Sequence, residues 1–422
     1  MPARLPRTAA ARWVLPALSA SCAVTVALGV PAPAWGAPGK SVASGDTVRL
    51  PVMPGVLDAG APCTKASPTV MRVTPWTHQV LNLGGAWTFS RGAGVTVAVV
   101  DTGVASDMPA LDGRVTADGT AGEDCVGHGS FVAGLIAGAA SAEGASAEAD
   151  FGGMAPQARI LALRGTDRFG VPTAARIAAG VRAGADAGAQ VIAVPLALPS
   201  GSAELTAAVR HASAKGCLVV AAAVPDTGAK PSGAGVSASA AAVRPRKYWP
   251  ASDEDVLAVL DFGPDGLRPE GAPQPEHADL AAPGDKVVGA GPRGKGHFTG
   301  SGASYATAYV AGAAALVRSR TPALTAGETA LRLTSTAYPA DVPRLDVYAA
   351  LTAVPHPPGT SADTLPEPAR PVVLTLADGR GARRIAALTV AAAIAAVAAA
   401  AAARGAIRGR RRGRGTASGS AD

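Results

Sequence analysis

Three polar residues that lie far apart in the sequence have the types needed for nucleophilic catalysis. Asp101 follows the apolar run at residues 95–100, His128 stands between two glycines before an apolar stretch, and Ser304 opens another apolar stretch. In such a set the serine attacks, the histidine takes and returns its proton, and the aspartate fixes the tautomer and stabilises the imidazolium. We predict that these three residues form a catalytic triad.

Each of the three residues also has an ordinary structural explanation. An aspartate after a strand and a serine before a helix are commonly cap or turn residues, and a histidine between glycines is often part of a turn. The combination favours catalysis, provided that the fold brings all three to one edge. A serine at a helix N-terminus has a further advantage, because backbone N–H groups there point at developing negative charge.

Alternating apolar segments predict the elements that position these residues. Four short runs are apolar on both faces, which is typical of central parallel strands covered by helices. They are residues 95–100, 158–163, 191–194 and 218–222, and helices are predicted at residues 129–140, 174–187, 204–215 and 307–318. The predicted fold class is α/β, a doubly wound parallel sheet with helices on both faces and active groups at the carboxyl ends of the strands.

Both ends of the chain have the pattern of membrane-targeting segments. Three arginines precede an apolar, non-amphipathic run and a group of small residues, which predicts a signal peptide at 1–36. No charge interrupts residues 385–403, which are long enough for a transmembrane helix, and the basic residues of 404–422 predict a cytoplasmic tail. A buried alanine-rich helix with a solvated tail is the alternative for this end. We expect a single-pass protein of the cell membrane with an extracytoplasmic body.

Composition divides the body between these ends into three parts. Residues 37–80 are proline-rich and irregular, so we expect an extended arm wrapped on the body rather than a separate inhibitory domain. The predicted catalytic domain covers residues 81–352, and a proline-rich linker follows at 353–384.

The charge distribution argues against a nucleic-acid partner. The formal net charge is +7, but the arginines of the two ends account for more than all of it, so that the body between them is net negative. A nucleic-acid-binding domain would instead carry a basic surface on its folded part.

The cysteines predict one disulfide bond. Of four cysteines, one lies in the predicted signal peptide, which leaves Cys63, Cys125 and Cys217, an odd number that allows one bond and one free thiol. We favour Cys63–Cys125, because Cys63 lies in the irregular arm, which needs fastening to the core. Cys217 precedes an apolar run typical of a buried strand, where a thiol behaves as a small apolar group.

The segments around Asp101, His128 and Ser304 resemble the triad motifs of subtilisin-like serine proteases, the subtilase or S8 family. The resemblance runs from about Trp87 to Ala349 and includes Met-Ala-Pro at 154–156 and Leu-Ala-Ala-Pro-Gly at 280–284. It implies hydrolysis of peptide bonds in a protein or peptide substrate, with no cofactor and no metal ion.

Within that family the chain is most similar to the mycosins, the membrane-anchored subtilisins of type VII secretion systems. The similarity lies in residues 75–79, 86–87 and 90–95 and in the order of signal, arm, protease, linker, span and basic tail. It implies association with the type VII secretion membrane complex, and the pair Cys63–Cys125 matches the arm-fastening disulfide of mycosins. A second mycosin-like disulfide would need a partner for Cys217, which the sequence lacks.

Two segments depart from the family pattern. The strand at 218–222 is followed in subtilisins by Gly-Asn, whose amide is one oxyanion donor, whereas Val224 and Pro225 stand here. Proline has neither a side-chain donor nor an N–H, which leaves the Ser304 backbone N–H as the predicted oxyanion hole, with Thr227 as a substitute if the loop bends back. Loss of such a donor costs about 10²–10³ in rate. In addition, Pro-Leu-Ala-Leu-Pro at 195–199 should narrow the substrate cleft and weaken strand pairing with a peptide.

Two other functions are compatible with parts of the sequence. Asp-Thr-Gly occurs at 101–103 and 226–228, and paired Asp-Thr-Gly motifs mark aspartic proteases, but those proteins are nearly all β and the idea leaves His128 and Ser304 unexplained. The stronger alternative is a catalytically impaired pseudoprotease, retained as a structural component of the secretion complex. The intact triad set favours a slow endopeptidase of narrow specificity.

Overall fold

A computed structural model of the chain describes residues 49–111, 113–139, 152–226, 244–353 and 380–413. The predicted signal peptide, residues 37–48 of the arm, residues 354–379 of the linker and residues 414–422 of the tail lie outside the described residues. The chain divides into two compact units, Met1–Ala353 and Val354–Asp422.

A seven-stranded parallel sheet forms the centre of the first unit. Its strands are β1 (Thr96–Asp101), β2 (Val115–Ala117), β3 (Arg159–Arg164), β4 (Val191–Val194), β5 (Leu218–Ala222), β6 (Val256–Phe262) and β7 (Leu280–Pro283). Their spatial order is β2-β3-β1-β4-β5-β6-β7, so that β1, which ends at Asp101, lies inside the sheet between β3 and β4. A separate antiparallel pair is formed by β8 (Val287–Ala290) and β9 (His297–Gly300).

Helices cover both faces of the sheet, as the apolar runs predict. Those of this unit are α1 (Trp76–Val80), α2 (Leu83–Trp87), α3 (His128–Ala137), α4 (Ala174–Asp186), α5 (Ala203–Ala214), α6 (Ala303–Arg320), α7 (Ala326–Ser335) and α8 (Val347–Thr352). Alternate residues of β1 enter two separate cores: one contains the buried residues of α3 and α6, the other those of α4 and α5. This separation follows from the two-residue period of a strand buried on both faces.

The observed elements agree with the predicted ones to within a few residues, with two informative differences. Helix α6 begins at Ala303 rather than at residue 307, which places Ser304 in its first turn. The four apolar runs do not include β2, β7 or the antiparallel pair, which are short, at an edge, or interrupted by glycine and proline. They also omit β6, although this buried seven-residue strand is as apolar as the four that were predicted.

The described part of the arm has no helix before Trp76 and ends in α1. Backbone hydrogen bonds join Met53 to Thr299, Leu57 to Phe169, and Thr64 to Cys125. A disulfide bond links Cys63 to Cys125, and Cys217 is a buried free thiol.

The second unit contains one long helix, α9 (Arg380–Gly413), of 34 residues. Within the described ranges, its segment Ala387–Ala406 is the helix that is long and apolar enough to cross a membrane. Twenty helical residues extend about 30 Å, which equals the thickness of the hydrocarbon core. This segment overlaps the predicted span at 385–403.

Candidate active site

The structure brings Asp101, His128 and Ser304 together at the carboxyl end of the sheet. Asp101 is the last residue of β1, His128 is the first of α3, and Ser304 lies in the first turn of α6. The Nδ1 atom of His128 lies 2.8 Å from Asp101 Oδ2, and its Nε2 atom lies 3.1 Å from Ser304 Oγ. Both contacts are within hydrogen-bond distance, as is required for proton transfer from a nucleophile to a base and for orientation of that base by a carboxylate.

Glycine allows the two loops that carry Asp101 and His128 to approach each other closely. A Cβ atom on Gly129 would collide with the backbone oxygen of Gly103 and would lie 3.0 Å from the Cβ atom of Asp101. Thr102 fixes this approach, because its hydroxyl oxygen accepts the N–H of Gly129 at 2.9 Å. The glycine after His128 is therefore required by packing.

Asp124 is a positioning residue that the sequence does not single out. Its Oδ1 accepts the Thr102 hydroxyl at 2.9 Å and the Gly127 N–H at 2.7 Å, and its Oδ2 accepts the Ser130 N–H at 2.9 Å and the Ser130 hydroxyl at 2.7 Å. Burial raises the pKa of this carboxyl, although the N–H donors oppose the rise. The four bonds tie the loop before His128 to the residue after Asp101. Its position four residues before a glycine-flanked histidine was the available signal.

The charge state of His128 is set by two carboxylates. Burial by itself would lower the pKa of the imidazole, but the charge and hydrogen bond of Asp101, followed by those of Asp226, raise it well above the ordinary value. The ring of Tyr305 lies 5.4 Å from the imidazole, centroid to centroid, and closes one side of the site. Both carboxylates thus stabilise the protonated form of the imidazole.

Asp226 lies against the nucleophile, and the sequence does not predict this. Its Oδ1 accepts the backbone N–H of Ser304 at 3.0 Å, and its Oδ2 accepts the Ser304 hydroxyl at 2.6 Å. The same Oδ2 is 3.5 Å from His128 Nε2. Pro225, predicted at the position of the usual asparagine, is half-buried, and the side chain that reaches Ser304 is that of the following residue, Asp226. Thr227, the predicted substitute donor, lies outside the described residues.

The position of Asp226 also decides against the aspartic-protease alternative. Asp101 and Asp226, the first residues of the two Asp-Thr-Gly motifs, both approach His128, but from opposite ring nitrogens. The imidazole separates the carboxylates, so they cannot share one proton directly as a pair of catalytic aspartates does. The repeated motif was the signal that could have drawn attention to Asp226.

The predicted cleft edge at residues 195–199 already has a backbone partner within the chain. Leu198 and Trp249 exchange two hydrogen bonds, with Leu198 N–H donating at 2.8 Å and Trp249 N–H donating at 2.9 Å. At this position the edge has no free N–H or C=O for pairing with a peptide strand.

The sequence model of the subtilase family matches residues 92–364. Among curated proteins, Mycosin-3 of Mycobacterium tuberculosis is 32% identical in an alignment 361 residues long, gaps included, that covers 70% of this chain and 75% of that protein. Subtilisin Savinase of Lederbergia lenta is 34% identical over 235 residues, 55% of this chain and 78% of that protein.

Two solved structures are similar over most of the chain. The MycP3 protease from the type VII (ESX-3) secretion system is 32% identical with a TM-score of 0.56, over 72% of this chain and 98% of that one. A chain in the structure of an intact ESX-5 inner membrane complex is 26% identical with a TM-score of 0.59, over 86% of this chain and 100% of that one.

Proposed function

Because this chain belongs to the subtilase family, and to the mycosins within it, we propose that its serine endopeptidase activity resides in Asp101, His128 and Ser304. We propose further that it acts outside the cell membrane, to which it is anchored, in association with a type VII secretion complex. The observation that carries the site assignment is the buried His128 ring, which bridges the other two side chains.

The proposed roles follow from this geometry. Ser304 attacks the carbonyl carbon of the scissile peptide bond, His128 takes the hydroxyl proton and returns it to the leaving amine, and Asp101 holds the imidazole through Nδ1. The Ser304 backbone N–H, at the start of α6, is one donor for the oxyanion.

A low intrinsic rate is part of the proposal. Pro225 stands after β5 where subtilisins carry the asparagine donor, and it offers no hydrogen to an oxyanion. One missing donor lowers the rate by about 10²–10³.

The proposed location rests on the apolar segment Ala387–Ala406 and on the basic residues that follow it. Basic clusters beside a span remain on the cytoplasmic side, which leaves the catalytic body on the outer side. The proposed partner rests on the likeness to chains in ESX-5 inner membrane complexes.

A second function, that of a structural component with impaired catalysis, is favoured by two contacts. The Asp226 carboxylate occupies the Ser304 N–H, and the cleft edge at Leu198 is paired with Trp249. Both contacts compete with a substrate for groups that peptide hydrolysis requires.

Labelling with a fluorophosphonate probe discriminates between these functions. The full chain in detergent is treated across pH 6–10, and the modified peptide is identified by mass spectrometry, with Ser304→Ala as the matched control. A slow adduct on Ser304 supports the protease. A folded chain that forms no adduct at any pH favours the structural component over the protease. Cross-linking in native membranes tests the association with a secretion complex independently.

A further inference from the structure

We propose that Asp226 is a built-in inhibitory group, whose carboxylate occupies the oxyanion position of the site and must be displaced before a substrate reacts. This inference rests on the proposed function, because it takes Ser304 as the nucleophile and His128 as its base. The motif pattern of the subtilisin-like proteases assigns no role to Asp226.

Asp226 competes with a substrate for the Ser304 backbone N–H. The substrate oxyanion needs this donor, and Asp226 Oδ1 already accepts from it at 3.0 Å. A hydrogen bond from an N–H to a carboxylate is about twice as strong as one to a neutral carbonyl oxygen. The ground-state carbonyl of a peptide therefore competes poorly for the position.

Asp226 also takes the hydroxyl proton of Ser304 in a hydrogen bond. A carboxylate can only accept, so the 2.6 Å contact between Ser304 Oγ and Asp226 Oδ2 uses the single hydroxyl proton of the serine. That proton is then not directed at His128 Nε2, which lies 3.1 Å from Ser304 Oγ and 3.5 Å from Asp226 Oδ2. The imidazole carries its own Nε2 proton in this arrangement and is not available as a base.

The charged groups around Asp226 favour its position beside His128. The groups facing Asp226 are the imidazole of His128, the carboxylate of Asp261 at the end of β6, and the phenol of Tyr305, with Asp101 beyond the imidazole. Asp261 is paired with Arg268 at 3.0 Å, and burial together with the charges of Asp226 and Asp101 raises the pKa of the tyrosine well above its ordinary value. Among the described residues, His128 is therefore the cation that holds Asp226. A developing oxyanion would meet the like charge of the Asp226 carboxylate.

The position of Asp226 is suited to reversible displacement. Its side chain is 18% exposed, whereas that of Asp101 is 0% exposed, so that only Asp226 can regain water when it leaves. Gly302 makes room for it, because a Cβ atom on that residue would collide with the Asp226 carboxylate. A carboxylate held by the nucleophile and its base, and still open to solvent, has the geometry of a removable blocker.

The test compares fluorophosphonate labelling rates of the full chain and its Asp226→Ala and Asp226→Asn variants in detergent from pH 5 to 10. Loss of the charged bond on the Ser304 N–H is expected to raise the labelling rate about 10- to 100-fold. The Asn variant keeps the shape of the side chain and should also label faster, which covers the case in which the Ala variant does not fold.

The pH profile separates inhibition from a merely structural role. Labelling requires neutral His128, and Asp226 contributes to the raised pKa of that imidazole. Removing the Asp226 carboxylate lowers the pKa of the His128 imidazole. The neutral imidazole then forms at lower pH, and the acid limb of the profile shifts to lower pH. Asp186→Ala is the matched control, because the exposed Asp186 pairs with a half-buried histidine, His211, at 2.7 Å. This variant should leave rate and profile unchanged.

The outcomes are distinguishable. Faster labelling with a shifted acid limb supports Asp226 as the inhibitory group. A labelling rate equal to or below that of the unaltered chain, with an unshifted acid limb, overturns this inference alone, since the triad still reacts. Absence of labelling in every folded variant overturns the proposed function and this inference together.

Discussion

Replacing Asp124 by asparagine should loosen the loop that carries His128. Each carboxylate oxygen of Asp124 accepts one backbone N–H and one hydroxyl, from Gly127 and Thr102 on one side and from Ser130 on the other. Asparagine keeps one acceptor oxygen and places an NH₂ group where the second oxygen was. The hydroxyl on that side can rotate and accept, but the backbone N–H cannot.

The magnitude follows from that one unsatisfied donor. A buried N–H without a partner costs about 1–3 kcal/mol, and the remaining bonds lose the strength that a charged acceptor gave them. Removal of a buried charge, whose carboxyl already has a raised pKa, offsets part of the loss. We expect a net destabilisation of about 2–3 kcal/mol. At roughly 2.1 cal/mol/K per residue over roughly 300 residues, this corresponds to a thermal midpoint about 3–5 °C lower.

The assay is thermal unfolding of the full chain in detergent, together with the fluorophosphonate labelling rate. Glu123→Gln is the matched control, because this neighbouring carboxylate is exposed and should leave both values unchanged. We expect Asp124→Asn to lower the midpoint and to slow labelling, since the imidazole loses its fixed position. A variant that melts within about 1 °C of the unaltered chain and labels at its rate would refute the hydrogen-bond accounting.

Three further expectations concern other parts of the site and the body. Gly129→Ala should cost about 3 kcal/mol and slow labelling, because its methyl group collides with a backbone oxygen. Gly327→Ala is the control, since Gly327 is also the second residue of a helix but has open space around it; it should be neutral or stabilise by up to about 1 kcal/mol. Equal melting curves for the two variants would contradict this. Cys63→Ala opens a loop of 62 residues and should cost about 4 kcal/mol. The expected measurement is a lower melting midpoint that no longer responds to reductant. A midpoint unchanged by the substitution would count against a stabilising disulfide bond. Pro225→Asn combined with Asp226→Ala should raise the turnover of a peptide substrate about 100-fold above Asp226→Ala alone, and no gain would indicate that another group serves as the donor.

Local sequence patterns were sufficient for the elements that carry the proposed triad. A central strand covered on both faces is mostly apolar, so β1, β3, β4 and β5 were visible as short apolar runs. Polar residues at the ends of such runs are conspicuous, which is why Asp101, His128 and Ser304 could be selected together. Strands such as β8 and β9, with glycine and polar residues, have no comparable signal.

The sequence by itself determined four of the parallel strands with the helices between them, the apolar helix near the C-terminus, and the three residues that meet at the end of the sheet. Each of these depends on a pattern within one or two turns or strands. Tertiary structure alone decided that Asp226 reaches the N–H of Ser304, 78 residues away, and that the four bonds of Asp124 join two loops. Such contacts depend on how separate loops approach one another in space, and that approach is set by packing of the whole sheet rather than by any local periodicity.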